Sequence, residues 1–393
     1  MTHYNLTGYA DIARITTDKA YAKSKSLLVK KQNDLYVIKY DKTQLNKDNL
    51  QSLGLFRSIV TDGQKLLAFS PPKSVPLEVF KENYPISEIS LQEFVEGTMI
   101  NCFYHDNQWK IATRWNIGAR NAFYQDNYHS LSFCDMFLEA MTQCQLNFTQ
   151  MNMNYCYSFV LQHPQNRIVV PFSKPHLVLI NIYNISNETP WNISEIKMDG
   201  LIPHIARPIK YSKCDTIDLH TNIKSFISVN TPYTILGIVL IHGNSGIRSK
   251  ARNPIYEKVR NLKGNSSKIQ FQYYNLYKDG NVKEFLTFYP EYKQIFWNYR
   301  QELIQWTDAL YELYKEVYVR KIRTQAEIPY AFRPHLWTIH DIYLHDLRDK
   351  KLIINKKIVR EYIRSIPSAR LMYAINYPLR QKQKDDVKGI IYS

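Results

Sequence analysis

Between residue 27 and about residue 245, the apolar positions fall in short β-type runs bounded by turn residues. LYVIKY at 35–40 predicts a strand, and HLVLINIYNI at 176–185 predicts a strand buried on both faces. One stretch breaks the pattern. In SLSFCDMFLEAMTQCQL, residues 130–146, apolar side chains at 133, 137, 138 and 141 follow a spacing near 3.6 and predict a helix. NLKGNSS at 261–267 is rich in turn residues and predicts a boundary. Beyond it Tyr292, Phe296, Tyr299, Leu303, Trp306, Leu310, Leu313 and Val317 step alternately by four and three, which predicts one long amphipathic helix. A second helix is predicted over 358–366, with Lys356, Lys357, Arg360 and Arg364 on its polar side. The tail RQKQKDDVKGIIYS is expected to fray. The pattern gives a strand-rich α+β domain over residues 1–263 and an all-α domain over residues 264–393.

Composition narrows this picture. At 393 residues and 45% hydrophobic, the chain can bury a substantial core. No apolar run approaches the roughly 20 residues that span a bilayer, and MTHYNLTGYADIAR has no leader-like pattern, so no membrane role is expected. Five cysteines lie scattered without metal-type spacing, which predicts reduced thiols and a cytoplasmic setting. The net charge is +16, and the residues after Lys263 hold 22 Lys and Arg against 14 Asp and Glu. Half the excess charge therefore lies in the last third. Such a field favours a polyanion, with RNA or another nucleic acid as the first candidate partner and a protein partner left open. Thirty tyrosines add possible stacking surfaces. His335 and His340 lack a third ligand nearby, so no metal site is expected there.

Five segments carry the candidate chemistry. QEFVEGTMINCFYHDNQWKIATR, residues 92–114, reads as strand, turn, strand and a Thr-Arg stop, with Phe94-Val95-Glu96-Gly97 at the first turn. Upstream, LGLFRSIVTDGQKLLAFSPPKSV at 53–75 holds Arg57 and Lys73. YCYSFVLQHPQNRIVVP at 155–171 holds Phe159, Pro164 and the run Asn166 to Val169. TILGIV at 234–239 and GIRSK at 246–250 follow, the latter with Arg248 and Lys250.

In this order the segments resemble the motifs of the phage-type RNA ligases, ATP-dependent members of the nucleotidyltransferase superfamily, in a degenerate form similar to relatives in large DNA viruses. The resemblance implies a nucleotidyltransferase-like (ATP-grasp-type ligase) antiparallel domain followed by a helical domain that helps recognise RNA. In that family a Lys-x-Asp-Gly lysine attacks ATP. Here Phe94 holds that place and has no lone pair for phosphorus. Family acids that help hold a divalent metal are replaced by Val160 and Leu236, which offer no oxygen ligand. Positions that contact phosphates stay basic: Arg57, Lys73, Arg114, Arg248 and Lys250, with Glu96 and Gly97 completing the nucleotide-binding set. Lys356, Lys357, Arg360 and Arg364 are the further candidates for nucleic-acid contact.

The resulting expectation is an RNA-ligase-like protein that binds RNA, with RNA ends as the candidate target, through a basic cleft without ligating it, so that no lysyl-adenylate forms. One alternative is an active ATP-dependent RNA ligase in which Lys39 or Lys110 supplies the amine, with ATP and Mg²⁺ as cofactors. Another is a structural or virion protein reusing the fold, in the host cytoplasm or the particle.

Overall fold

The β-type runs pair into antiparallel sheets in the computed structural model, which describes residues 2–122, 131–185, 191–198, 200–211 and 231–382. In chain order the strands are β1 (His3–Asn5), β2 (Leu27–Gln32), β3 (Leu35–Tyr40), β4 (Ile59–Thr61), β5 (Leu66–Phe69), β6 (Ile89–Glu93), β7 (Thr98–His105), β8 (Gln108–Ala112), β9 (Tyr155–Gln162), β10 (His176–Ile185), β11 (Asn192–Ile196), β12 (Lys210–Tyr211), β13 (Gly237–His242) and β14 (Arg248–Arg252). One sheet runs β1-β11-β10-β9-β7-β8, a second β12-β6-β13-β14 and a third β2-β3-β4-β5. The helices are α1 (Ile12–Thr17), α2 (Lys19–Ser24), α3 (Leu77–Asn83), α4 (Phe133–Gln143), α5 (Pro254–Lys263), α6 (Ile269–Asp279), α7 (Val282–Phe288), α8 (Lys293–Tyr314), α9 (Arg333–Ile342), α10 (Lys356–Ser365) and α11 (Ser368–Ile375). The chain is therefore α+β with antiparallel sheets, followed by a helical region. Two compact units divide it, residues 1–260 and 261–393.

Period two sorts the side chains of β9. Tyr157, Phe159 and Leu161 join the core beneath α4, together with Phe133, Phe137 and Met141. Cys156 and Val160 point to the opposite face, where Cys156 meets Val60 and Ala68 and Val160 meets Val95 and Val178. Helix α4 starts on a capping box: Asp135 N–H donates to Ser132 Oγ at 3.2 Å, and Ser132 N–H donates to Asp135 Oδ2 at 3.1 Å. Its buried face is Phe133, Met136, Phe137, Ala140 and Met141. Leu138, read from the sequence as part of that face, is 44% exposed. The helical stripe passes through Met136 and Ala140, and Leu138 lies off it.

The turn at Glu96-Gly97 is not a hairpin. Strand β6 pairs with β12 and β13, whereas β7 pairs with β8 and β9. Residues 94–97 therefore carry the chain from one sheet to another. The hairpin turn of this stretch is Asp106-Asn107, with φ of +50° and +56°. Gly97 has φ +145°, and a Cβ there would lie 2.4 Å from Leu161 O and 2.6 Å from Val160 Cγ1. Gly97→Ala is expected to cost about 2–4 kcal/mol through backbone strain and overpacking. A urea titration would show this as a lower midpoint at unchanged m.

In the second unit α8 follows the sequence stripe. Phe296, Leu303, Trp306, Leu310 and Leu313 are buried, Tyr299 is half-buried, and the helix ends in a π turn over Lys315–Val319. Helix α5 continues to Lys263, so the turn-rich stretch breaks only at Gly264, φ +65°. His335 is an aromatic-core residue: Nδ1 lies 2.8 Å from Tyr362 Oη, and burial draws its pKa down to about 4. His340 stacks on Tyr318 at 3.8 Å. Among the described residues no helix is long and apolar enough to cross a membrane. The described cysteines are free, and Cys214 lies outside the described residues.

Candidate functional site

Strand β14 sets the chemistry of the first unit. Arg248, Lys250 and Arg252 alternate along it, so period two turns all three to one face. Val75 bridges Ser249, with Val75 N–H donating to Arg248 O at 2.8 Å and Ser249 Oγ donating to Val75 O at 3.0 Å. That bridge holds the segment from Pro71 to Val75 beside β14. The other walls come from residues 92–95, from Gly97, from Met99 on β7, Val160 on β9 and Ile180 on β10. They enclose a cavity of about 190 Å³ that Arg57, Phe94, Gly97, Arg248 and Lys250 also line. A wider cavity of about 410 Å³ adjoins it, shares Ser74 and Lys250, and adds Lys47, Lys73 and Arg252. Its described lining contains no carboxylate. Glu93 is the one carboxylate in the described lining of the smaller cavity, and it accepts the N–H of Ile209 at 3.3 Å.

Phe94 faces these cations. Lys250 Nζ lies 4.3 Å from its ring centroid and the Arg252 guanidinium 5.7 Å away. Burial, then Arg57, Arg248, Arg252 and Lys73, push the Lys250 pKa down to about 7. Burial, then Arg57 and Arg252, also lower Lys73. Arg57 donates to Pro71 O at 3.4 Å, and burial lowers its pKa below the ordinary arginine value. Arg57, Lys73 and Lys250 form no ion pair among the described residues. Arg252, by contrast, pairs with Glu257 at 2.7 Å. The charge of Arg57, Lys73 and Lys250 is thus concentrated, partly desolvated and without a carboxylate partner, a field that favours an anion.

The remaining sequence candidates serve elsewhere. Arg248 Nη2 donates to Asn181 Oδ1 at 2.7 Å and lies 3.5 Å from Glu195 Oε1. Burial opposes its charge, but Tyr183, Glu195 and Tyr4 together hold its pKa above the usual value. Glu96 is buried behind the cavity. Its Oε1 accepts the N–H groups of Val169 at 3.0 Å and Val170 at 2.9 Å, and Tyr256 hydrogen-bonds to the same carboxylate. Asn166 Nδ2 donates to Thr98 Oγ1 at 2.8 Å. The Asn166 to Val170 segment therefore braces the sheet crossing at Glu96-Gly97-Thr98. Arg114 Nε donates to Arg57 O at 3.2 Å, and its guanidinium lies 5.0 Å from the Tyr40 ring, so it supports the Arg57 backbone. Lys39 lies 3.8 Å from the Trp115 ring, and burial lowers its pKa, followed by Arg114. Lys110 pairs with Asp106 at 3.5 Å. Neither belongs to the described lining of either cavity.

Sequence reading missed Lys47 and Arg252. Arg252 was accessible through the same period two that links Arg248 to Lys250, whereas Lys47 lies in an irregular stretch without a local signal. On α10, Lys356, Lys357, Arg360 and Arg364 are all exposed. Lys356 pairs with Asp308 at 3.0 Å, and the Arg364 guanidinium lies 5.2 Å from the Tyr277 ring. Val160 and Leu236 are both buried, and among the described residues no three His, Cys, Asp or Glu side chains converge to hold a metal. The donor set does not suit a hard cation, which takes oxygen ligands.

Lys250 gives the cleft a pH signature. Its depressed pKa means the amine is charged below about pH 7 and neutral above it, so anion binding is expected to weaken as pH rises from 6 to 8. An anion that binds will draw a proton onto the amine. Lys250→Met should abolish this dependence while raising Tm by a few degrees, because it removes a like charge from the cluster (about 0.5–2 kcal/mol). Calorimetry in buffers of different ionisation enthalpy would read the proton uptake.

The chain is 27% identical over 106 residues to an RNA ligase of Rhodothermus phage RM378, a stretch covering 25% of this chain and 24% of that protein. It thus spans about a quarter of that relative's length. No family model matches. Similar solved structures include an archaeal ATP-dependent RNA ligase (10% identity, 96% of this chain and 82% of that one, TM-score 0.42). Others are a putative ATP-dependent DNA ligase from Aquifex aeolicus (13%, 84% and 79%, 0.37) and an RNA ligase from Naegleria gruberi (10%, 47% and 54%, 0.34). Over those 106 residues the chain is similar in sequence to an RNA ligase, a distant relationship.

Proposed function

We propose that this protein binds single-stranded RNA in the basic cleft of its first unit and does not join strands. The observation that carries this reading is the cluster of Arg57, Lys73, Lys250 and Arg252 around Phe94. Phosphates would run along Lys47, Lys73, Lys250 and Arg252. A terminal nucleotide would enter the smaller cavity against Phe94, Met99, Val160 and Ile180. An RNA end fits this division better than an internal segment, because the smaller cavity holds only about 190 Å³.

Loss of joining chemistry follows from three side chains. On the resemblance of these segments to the RNA-ligase motifs, Phe94 takes the place of the attacking lysine, and Val160 and Leu236 take the places of metal-supporting acids. Binding of a 5′-labelled single strand across a salt series tests the reading. A cleft site predicts that removing cleft cations lowers both the affinity and the salt slope. Affinity and slope independent of the cleft cations would contradict it.

A further inference from the structure

The second unit carries a basic groove of its own. It has a volume of about 710 Å³ and lies among α6, α7, α8 and α10. Tyr273, Tyr277, Val282 and Leu286 give it an apolar and aromatic lining. Lys283, Lys293, Arg300 and Arg364 stand around it, and all four are exposed. No carboxylate belongs to its described lining, and none of the four cations forms an ion pair among the described residues. A lone surface lysine is a solvated charge of little consequence. Four uncompensated cations around one concavity focus a positive potential into it. Lys293 and Arg300 sit two helical turns apart on one face of α8, about 10 Å along its axis, which spaces two phosphate contacts along a strand.

The aromatic part makes the groove more than a charged patch. The Arg364 guanidinium lies 5.2 Å from the Tyr277 ring, and Tyr277 stacks on Tyr273 at 6.4 Å with 27° between the planes. Tyr273 is anchored in turn against Phe296 at 5.1 Å and Tyr299 at 5.8 Å. The ladder holds the exposed guanidinium over a fixed ring and presents a plane on which an unpaired base can stack. A duplex hides its bases from such a plane, and a base-free polyanion has none to offer.

We propose that this groove binds an unpaired stretch of nucleic acid, with phosphates on Lys283, Lys293 and Arg300 and a base stacked on the Arg364–Tyr277 pair. The groove is separate from the cleft of the first unit and does not depend on how that cleft is read. The full-length protein would be titrated with labelled single-stranded RNA, single-stranded DNA, duplex RNA and heparin, each across a salt series. A Lys283→Ala, Lys293→Ala, Arg300→Ala triple variant is expected to lose about tenfold or more in single-strand affinity and to flatten the salt slope by roughly two. Arg364→Lys keeps the charge and removes the plane. It is expected to weaken single strands several-fold while leaving heparin unchanged.

All four side chains are exposed, so unchanged thermal melting serves as the folding control, and Lys321→Ala with Lys350→Ala serves as the charge control. An unchanged single-strand Kd in the triple variant overturns the proposal, whatever the cleft variants do. Equal losses for heparin and single strands in Arg364→Lys overturn the stacking and leave only an electrostatic surface. If the groove variants weaken binding and the cleft variants do not, the groove stands and the cleft reading falls.

Discussion

Replacing Arg57 and Lys250 together by alanine is expected to weaken single-stranded RNA binding by about tenfold or more, since hydrogen bonds to charged groups are each worth about 1.5–3 kcal/mol. It should also flatten the slope of log K against log salt by roughly one to two, because each neutralised phosphate contributes about −0.7 for a single strand. Both side chains line the smaller cavity, and neither has a carboxylate partner among the described residues, so their charge is free for a ligand. Substituting Lys19 and Lys23, which are exposed on or beside the short helix α2, is the matched control and should change both quantities less. The effect should be larger at pH 6 than at pH 8, because wild-type Lys250 is charged at the lower pH and has little charge left to lose at the higher. A double variant that matches wild type across the salt series would remove the cleft from the account.

Joining of 5′-phosphorylated RNA ends with ATP is expected to stay at background in wild type and in Phe94→Lys alike. Loss of an essential nucleophile costs about a millionfold in well-studied enzymes. The variant would place an amine beside Lys250, where burial and then the neighbouring cations draw the lysine pKa down to about 7. Neutrality alone does not complete the site, because Val160 and Leu236 still provide no oxygen for a divalent cation. A joined product from the single variant would show that joining needs no acid at positions 160 and 236. A joined product from wild type would show that another amine has taken the role.

Local pattern carried much of the fold. LYVIKY is β3 residue for residue, and the four-three stripe of α8 is buried at Phe296, Leu303, Trp306, Leu310 and Leu313. Both arise from interactions between near neighbours in the chain, which period alone reports. The crossing at Glu96-Gly97 was not legible as such. Alternation continues through it, and whether β6 and β7 pair with each other or with distant strands is decided by β13 and β9. The same limit applies to Arg248. Its partners Asn181 and Glu195 are 67 and 53 residues away, so the sequence shows a cation but not its compensation. Glu96 likewise reads as a site carboxylate until Val169 and Val170 are seen to occupy it. Lys250 is the opposite case. Its identity was plain in the sequence, while its low pKa comes from Arg57, Lys73, Arg248 and Arg252, which only the folded sheets bring together.

The most direct test of binding without ligation chemistry is incubation of the protein with α-labelled ATP and Mg²⁺ or Mn²⁺, followed by denaturing electrophoresis. The account predicts no labelled protein band. A band that survives denaturation, with its label mapped to Lys250, Lys39 or Lys110, would contradict it.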